Sequence, residues 1–329
     1  MKNRKLIFFV YTGLVVVIVF AIFGFVRGKG LPFVGIETSP SPWSIGIFAG
    51  SSPFSLEDPD DIDNPVLTPQ DITDVSAEFV ADPFMIQRQN KWFMFFEVMN
   101  KDTNQGDIGL ASSVDGVSWN YDQIVLDETF HLSFPYVFNW KGDYYMVPET
   151  SDAGAIRLYR ADTFPTHWSF EGDLVEGRFV DTTVFHHAGK WWLFTTKPHP
   201  NSYAVYLYHA NDLPGPWLEH PNNPVVEYRP QGARSAGRVL EFGGKIIRYI
   251  QDIYPVYGQN VRGYEVSLLS ETDYQEAPVS ETPVIGASGQ GWNGLGMHTL
   301  DPHQIGENEW IAVVDGYGQN RRLVFGLDK

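Results

Sequence analysis

The chain has 329 residues, of which 43% are hydrophobic and 19% charged, and this composition excludes a disordered protein. Its formal net charge of −17 argues against a nucleic-acid partner, because binding phosphates requires a basic surface. With no cysteine, the chain contains no disulfide scaffold, thiolate metal site or cysteine nucleophile.

An uncharged apolar run covers residues 6–26, after a short basic segment at residues 1–5. A helix of roughly 20 apolar residues is long enough to cross a bilayer. The run exceeds the apolar part of a usual signal peptide and no Ala-x-Ala cleavage site follows it, so we predict a retained transmembrane anchor. A cleaved signal peptide is the alternative. Three basic residues precede the run and two follow it, which favours a cytoplasmic N-terminus.

The remainder of the chain is strongly acidic. Without the five basic residues that flank the apolar run, 18 Lys and Arg stand against 40 Asp and Glu. Such a domain gains nothing from contact with an anionic membrane surface. We therefore predict that residues 27–42 form a tether and that residues 43–329 form a domain held away from the bilayer.

A repeat runs through this domain. Short apolar elements recur with central valines at intervals of 59, 50, 50 and 59 residues, at Val66, Val125, Val175, Val225 and Val284. Five segments also read as an apolar strand, a polar turn and an aromatic-rich strand, at residues 81–97, 134–149, 181–196, 237–252 and 301–316. Four of them precede a third strand, at residues 108–113, 156–161, 205–210 and 264–269. Periods of this length are typical of propeller blades, so we predict an all-β, five-bladed β-propeller preceded by one transmembrane helix.

The last predicted hairpin has no Val-rich element after it. We therefore expect the segments WSIGIFAG (43–50) and NPVL (64–67) to complete the blade that residues 301–316 begin. Joining the first and last parts of the chain in one blade would remove an exposed sheet edge. The alternative is that RLVFGLDK (322–329) supplies the third strand of that blade.

In a propeller the inner strand of every blade runs along the central channel, so the residues that begin these strands surround one mouth of the channel. The residues expected there are Asp82, Ser133 to Tyr136, Asp181, Arg238 and His298 to His303. The second strands end in further acids, which are Glu97, Glu149, Asp252 and Asp315. Convergent ionisable groups in a concavity indicate a binding or catalytic site.

Paired carboxylates beside aromatic residues suit glycoside chemistry, because one acid protonates the leaving oxygen while the other carboxylate activates water or attacks the sugar. We select Asp82, Asp181 and Glu149 as candidate catalytic residues. The candidate substrate-binding residues are Glu97, His131, Tyr136, Arg238, His298 and Asp301. We predict no cofactor and no catalytic metal. A structural cation in the channel is compatible with the group His298, Asp301 and His303.

Several of these residues have a structural alternative. Asp82 and Asp181 each begin a strand and could cap a turn. Glu97 and Glu149 could accept hydrogen bonds from backbone amides of a neighbouring blade. Arg238 could form an ion pair with Asp82 or Asp181 rather than bind substrate.

Six segments together resemble a known domain: VADPFM (80–85), FFE (95–97), FHLSFPYVF (130–138), MVPET (146–150), RLYRA (157–161) and FP-x-x-W (164–168). Over about residues 43–320 the chain resembles the N-terminal domain of plant glucosamine inositolphosphorylceramide transferases and their bacterial relatives. More distantly it is similar to the five-bladed propellers of glycoside hydrolase families 43 and 32. Those enzymes carry an essential first-blade carboxylate at the position of Asp82.

The chain departs from the hydrolase pattern at two positions. Those enzymes usually have an Asp in the second blade, where this chain has Phe134-Pro135-Tyr136, and their third-blade general acid is typically Glu rather than the shorter Asp181. In the plant transferases the sugar-transfer domain is a separate C-terminal module, beyond the region of resemblance. The resemblance therefore implies a glycan-related role and leaves catalysis open.

Two functions follow as hypotheses. The first is a single-pass membrane protein whose extracytoplasmic propeller is a glycoside hydrolase or transglycosidase. The second is a non-catalytic glycan-binding accessory domain that works with a separate glycosyltransferase. In both, the partners are a glycan or glycolipid and, through the N-terminal helix, the membrane. A third hypothesis, a protein-interaction propeller, has only the acidic composition in its favour.

Overall fold

The computed structural model describes residues 12–22, 32–199, 202–227, 229, 232 and 234–327. A helix occupies residues 12–22. Within these described residues, no helix has both the length and the apolar character needed to span a membrane. Residues 6–11 and 23–26 of the predicted anchor lie outside the described part of the chain, so the transmembrane helix stays a prediction.

The described strands form five sheets of four or more strands, which are the blades of an all-β five-bladed propeller, as the repeat predicts. Blade I contains Ala77–Arg88, Lys91–Asn100, Gln105–Ser113 and Asn120–Leu126. Blade II contains Ser133–Trp140, Asp143–Glu149, Ala155–Thr163 and His167–Glu176. Blade III contains Val180–His187, Lys190–His199, Ser202–Ala210 and Leu218–Glu219. Blade IV contains Arg234–Ser235, Leu240–Phe242, Lys245–Gln251, Asn260–Leu269, Tyr274–Pro278 and Ile285–Gly286.

Blade V closes the ring with strands from both ends of the domain. Its strands, from the innermost outward, are Leu300–Gly306, Glu309–Gly316, Ser44–Ser52 and Ser55–Glu57. The segment WSIGIFAG thus supplies the third strand, as predicted. The segment NPVL also joins blade V, because Leu67 forms an antiparallel bridge with Ile45. The fourth strand is Ser55–Glu57, which pairs with the other end of Ser44–Ser52 and was not predicted.

The C-terminal strand does not belong to a blade. Gln319–Leu327 pairs antiparallel with Pro32–Pro40 in a two-stranded ribbon, which lies in a compact unit separate from Ser41–Gly318. The alternative that residues 322–329 supply the third strand of blade V is therefore wrong, because Ser44–Ser52 already occupies that position. Part of the predicted tether, residues 32–40, is accordingly a strand.

Within each blade, a tight turn joins the inner strand to the second strand. In blades I to IV a two-residue turn has positive φ at both residues, as at Gln89 and Asn90 or at Lys141 and Gly142. This is the backbone shape of a type I′ turn, whose twist matches that of a β-hairpin. The blades then pack through apolar residues, such as Phe84 of blade I, Phe134 of blade II and Leu193 of blade III.

Gly237 of blade IV lies close to the backbone of blade V. Its φ is +155°, and a Cβ at this position would lie 1.8 Å from the carbonyl oxygen of Leu300. We expect Gly237→Ala to lower the free energy of unfolding by about 1–3 kcal/mol, as over-packing does, measured by urea denaturation. Gly172→Ala is the control, since it has no atom within 4 Å and no positive φ. Equal stability of the two variants would contradict this close approach.

Candidate functional site

A repeated backbone kink orients the first site residues. In blades I, II and III the inner strand has a register shift, and within it Asp82, Phe134 and Asp181 have φ of 52°, 45° and 51°. Positive φ is rare for residues other than Gly and persists where the surrounding structure imposes it, often at functional sites. The three residues therefore occupy equivalent positions in their blades. Phe134 takes the place of the acid in blade II.

Asp82 is fixed by residues that precede the inner strand of blade V. Its Oδ1 accepts a 2.8 Å hydrogen bond from Thr299 and lies 3.5 Å from His298 Nε2. Its own backbone N–H donates to Asp315 Oδ2 at 2.9 Å. No hydrogen bond to Oδ2 of Asp82 occurs in the described part of the chain, which leaves this oxygen available to a ligand.

Asp315 of blade V connects blades V and I through hydrogen bonds. Besides the N–H of Asp82, its carboxylate accepts hydrogen bonds from the N–H groups of His298 and Thr299 at 3.0 and 2.8 Å. The Nδ1 atom of His298 lies 2.7 Å from Asp315 Oδ2. Burial opposes charge on both groups, yet their attraction raises the pKa of His298 and lowers that of Asp315. The His298 ring therefore lies between the carboxyl groups of Asp82 and Asp315, which both favour its protonated form.

Asp181 and Arg234 form an ion pair across blades III and IV. The guanidinium Nε donates to Asp181 Oδ2, and Nη2 donates to Oδ1 at 2.8 Å, so both carboxylate oxygens are engaged. Glu149 lies beside this pair: its Oε2 accepts the backbone N–H of Asp181 at 3.4 Å. Arg234 was not among the residues selected from the sequence.

Glu97 and His131 form a third contact in the same region. Glu97 is buried, and its Oε1 lies 3.5 Å from His131 Nε2. The Nδ1 atom of His131 accepts the N–H of Gly106 at 2.9 Å, so the ring proton lies on Nε2 and points to Glu97. Burial lowers the pKa of His131, which favours this neutral ring.

Burial raises the pKa of three acids in this region, which are Asp82, Glu97 and Glu149. Desolvation by burial, reinforced by the Asp181 carboxylate, raises the pKa of Glu149 to about 8. Burial and then the Asp82 and Glu149 carboxylates raise the pKa of Glu97 well above its ordinary value, and burial also raises that of Asp82. The pKa of Glu149 therefore lies above neutral pH. We call Asp82, Glu97, Glu149, Asp181 and Arg234 the mouth cluster.

Aromatic side chains border the mouth cluster. The guanidinium carbon of Arg234 lies 5.5 Å from the ring of Tyr203 and 5.3 Å from that of Tyr257. Trp43 and Tyr257 lie 4.2 and 5.5 Å from the ring of His298. Tyr257 is exposed to solvent, so its ring can contact a ligand at the mouth. These three aromatic residues, Trp43, Tyr203 and Tyr257, are far apart in the chain, so no sequence pattern indicates that they border the site.

Three predicted substrate-binding residues belong to a second group deeper along the inner strands. Arg238 donates to both oxygens of Asp301, at 2.8 and 3.2 Å, and to the carbonyl oxygens of Val137 and Met85. The Tyr136 ring lies 5.1 Å from the Arg238 guanidinium carbon. The Nε2 atom of His303 lies 3.0 Å from Asp301 Oδ2. We call Tyr136, Arg238, Asp301 and His303 the channel network. The ion pair expected for Arg238 is thus made with Asp301 rather than with Asp82 or Asp181.

The acids Asp82 and Asp315 and the imidazole of His298 could also hold a cation. Their potential ligand atoms lie within 4.8 Å of one another. Oxygen and imidazole ligands suit several divalent metals. Among these groups, Asp315 already accepts hydrogen bonds from the N–H groups of Asp82, His298 and Thr299. The structural cation stays a prediction, and this group differs from the predicted set of His298, Asp301 and His303.

Comparison with known proteins gives a family match over almost the whole propeller. Residues 37–317 match the family described as "Glucosamine inositolphosphorylceramide transferase 1, N-terminal". The Arabidopsis thaliana protein named glucosamine inositolphosphorylceramide transferase 1 is 36% identical over 302 residues, covering 85% of this chain and 39% of its own. The chain thus spans about two fifths of the length of this curated relative.

Solved structures share the fold at low sequence identity. The β-1,2-mannobiose phosphorylase from Listeria innocua superimposes with a TM-score of 0.61 at 13% identity, over 82% of this chain and 96% of its own. A thermostable family-43 glycoside hydrolase gives 0.50 at 16% identity, over 61% and 76%. These likenesses support the five-bladed propeller.

Proposed function

The chain belongs to the family of the N-terminal region of glucosamine inositolphosphorylceramide transferase 1. We therefore propose that its propeller binds a carbohydrate at the mouth cluster. There it cleaves a glycosidic bond or transfers the glycosyl group to an acceptor. The protein would be a membrane-anchored glycoside hydrolase or transglycosidase acting on an extracytoplasmic glycan or glycolipid. The proposal is supported by two features of one cluster: burial raises the pKa of Glu149 to about 8, and Oδ2 of Asp82 accepts no hydrogen bond in the described part of the chain.

Glu149 is the proton donor in this proposal. With a pKa of about 8 it holds its proton at neutral pH and can deliver it to the glycosidic oxygen as the bond to the sugar breaks. As this bond breaks, Asp82 Oδ2 either takes a proton from the water or acceptor hydroxyl that attacks the anomeric carbon, or attacks that carbon itself. In the second case, water or an acceptor hydroxyl displaces Asp82 in a second step, with Glu149 now accepting its proton. The separation of the two carboxyl groups decides between these routes.

Asp181 has a different role in this proposal from the one that the sequence suggested. Both of its oxygens engage Arg234, so it holds the guanidinium in place and its N–H supports Glu149. Arg234 faces Tyr203 and Tyr257, where it can bind sugar hydroxyls or an anionic group while the rings contact the sugar.

The pH profile tests the assignment of acid and base. Activity should fall as the pH rises through about 8, because Glu149 loses the proton that it must donate. It should also fall at acidic pH, at a value above the ordinary 3.8 of an aspartate, because Asp82 must be ionised and burial raises its pKa. The measurement is the initial rate of sugar release from a glycosylated inositolphosphorylceramide, from pH 4 to 10. A rate that increased steadily up to pH 10 would contradict Glu149 as the acid.

A non-catalytic accessory function is the second candidate. It is favoured by one observation: the named relative is more than twice as long as the matched region, so its transferase activity could lie elsewhere. In this case the propeller would bind the glycan or glycolipid for a separate glycosyltransferase. Binding of the same glycolipid by the full chain, with no product detected by mass spectrometry, would favour this function over the first.

A further inference from the structure

A cavity of about 330 Å³ lies between blades II and III, at the opposite end of their inner strands from the mouth cluster. Trp140 ends the strand that begins at Ser133, and His186 lies near the end of the strand that contains Asp181. A strand rises about 3.3 Å per residue, so the cavity is roughly 20 Å from the mouth. It is therefore distinct from the site described above.

Aromatic rings form much of the cavity wall. The Trp140 ring lies 4.7 Å from His186 and 4.7 Å from Trp191, and Tyr145 also lines the cavity. Trp191 is buried, Trp140 and Tyr145 are half-buried, and His186 is exposed. A half-buried indole in a concave wall offers a flat apolar surface for the C–H face of a sugar ring.

The polar lining is mainly acidic. Asp143, Glu171 and Asp212 contribute three carboxylates against the single ammonium of Lys141. Asp143 pairs with Arg160 at 3.0 Å, whereas Glu171 and Asp212 form no ion pair in the described part of the chain. The Lys141 Nζ atom itself lies 5.3 Å from the centre of the Trp140 ring. The cavity already accommodates one ammonium group over its aromatic wall.

From these contacts we propose that the cavity is a second saccharide site that binds a pyranose with a free amino group. The sugar ring would stack on Trp140, and its ammonium would replace that of Lys141 and face Glu171 and Asp212. The volume accommodates a mono- or disaccharide. This site does not depend on the function proposed for the mouth cluster, since it shares none of its residues.

The test uses the purified full-length chain and titrates glucosamine by saturation-transfer NMR, with N-acetylglucosamine and lysine methyl ester as comparison ligands. Asp212→Asn should weaken glucosamine binding about two- to fivefold, and Lys141→Met should strengthen it by a similar factor, as expected for exposed ion pairs. Trp140→Ala should weaken it about tenfold. The two charge variants alter exposed side chains, so they test the site even if Trp140→Ala does not fold.

The Asp82→Asn variant is the matched control, because it alters the mouth cluster alone and should leave this binding unchanged. The proposal predicts weaker binding of N-acetylglucosamine, which lacks the ammonium. It would be overturned if lysine methyl ester bound as tightly as glucosamine, if Lys141→Met weakened binding, or if Asp82→Asn abolished it. Sugar release at the mouth is measured separately, so the two proposals can fail independently.

Discussion

Replacing Glu149 by Gln should lower the rate of glycosidic-bond cleavage at pH 7 by about 10²- to 10⁴-fold, the usual contribution of a general acid. The side chain keeps its shape and can still accept the N–H of Asp181, but it has no acidic proton to give to the leaving oxygen. The loss should be smallest for substrates with an activated leaving group, because these need little protonation. Initial rates on such a substrate and on a natural glycoside measure the difference.

The matched control for this variant is Glu78→Gln, an exposed carboxyl group on the inner strand of blade I. It should retain the wild-type rate and the decline of activity above about pH 8, whereas Glu149→Gln should lose that decline. If Glu149→Gln kept the full rate on the natural glycoside, Glu149 would not be the acid. A chain with glycolipid binding but no measurable cleavage would point instead to the accessory function.

Replacing Arg238 by Met should lower the free energy of unfolding by up to about 3–5 kcal/mol, the usual result of removing the partner of a buried charge, because only His303 and the N–H of Met85 would remain beside the Asp301 carboxylate. Asp301 is completely buried, and Arg238 engages both of its oxygens. The same guanidinium bonds the carbonyl oxygens of Met85 in blade I and Val137 in blade II. Its loss therefore removes contacts among four blades. Urea denaturation monitored by tryptophan fluorescence measures the change.

Lys245→Met serves as the control for this prediction. Lys245 pairs with Glu265 in blade IV, and its side chain is 57% exposed, so the loss should stay below about 1 kcal/mol. The double variant Arg238→Met with Asp301→Asn should recover part of the loss, because it removes the uncompensated charge as well. A stability of Arg238→Met close to that of Lys245→Met would mean that the channel network does not hold the blades together.

Much of the fold was predictable because its signals are local. Each hairpin is specified by alternating strands and a short turn, such as the turn at Lys141 and Gly142, and the repeat of these units gives the number of blades. The edge of blade V was less predictable. Ser55–Glu57 pairs with one end of Ser44–Ser52, and Leu67 of the NPVL segment bridges to Ile45 at the other end, but only the second pairing was expected from the repeat.

The site was only partly predictable, because its contacts join residues that are distant in the chain. The sequence suggests that Asp82 and Asp181 occur at equivalent strand positions, and their matching φ angles agree with this. It gives no indication that Asp315 accepts the N–H of Asp82, 233 residues away. The sequence also does not show that Arg234 belongs to the mouth cluster and Arg238 to the channel network. The reason is that the inner strand of blade IV is interrupted between Arg234–Ser235 and Leu240–Phe242.

The most direct test of the saccharide site at the mouth is a crystal structure of the full-length chain with a bound glycan. We expect a sugar between Asp82 Oδ2 and Glu149, in contact with Arg234 and Tyr257. The two carboxyl groups should lie roughly 5–5.5 Å apart for a retaining reaction or roughly 6.5–9.5 Å apart for an inverting one. A glycan bound only away from these residues, or a wider separation of the two groups, would contradict it.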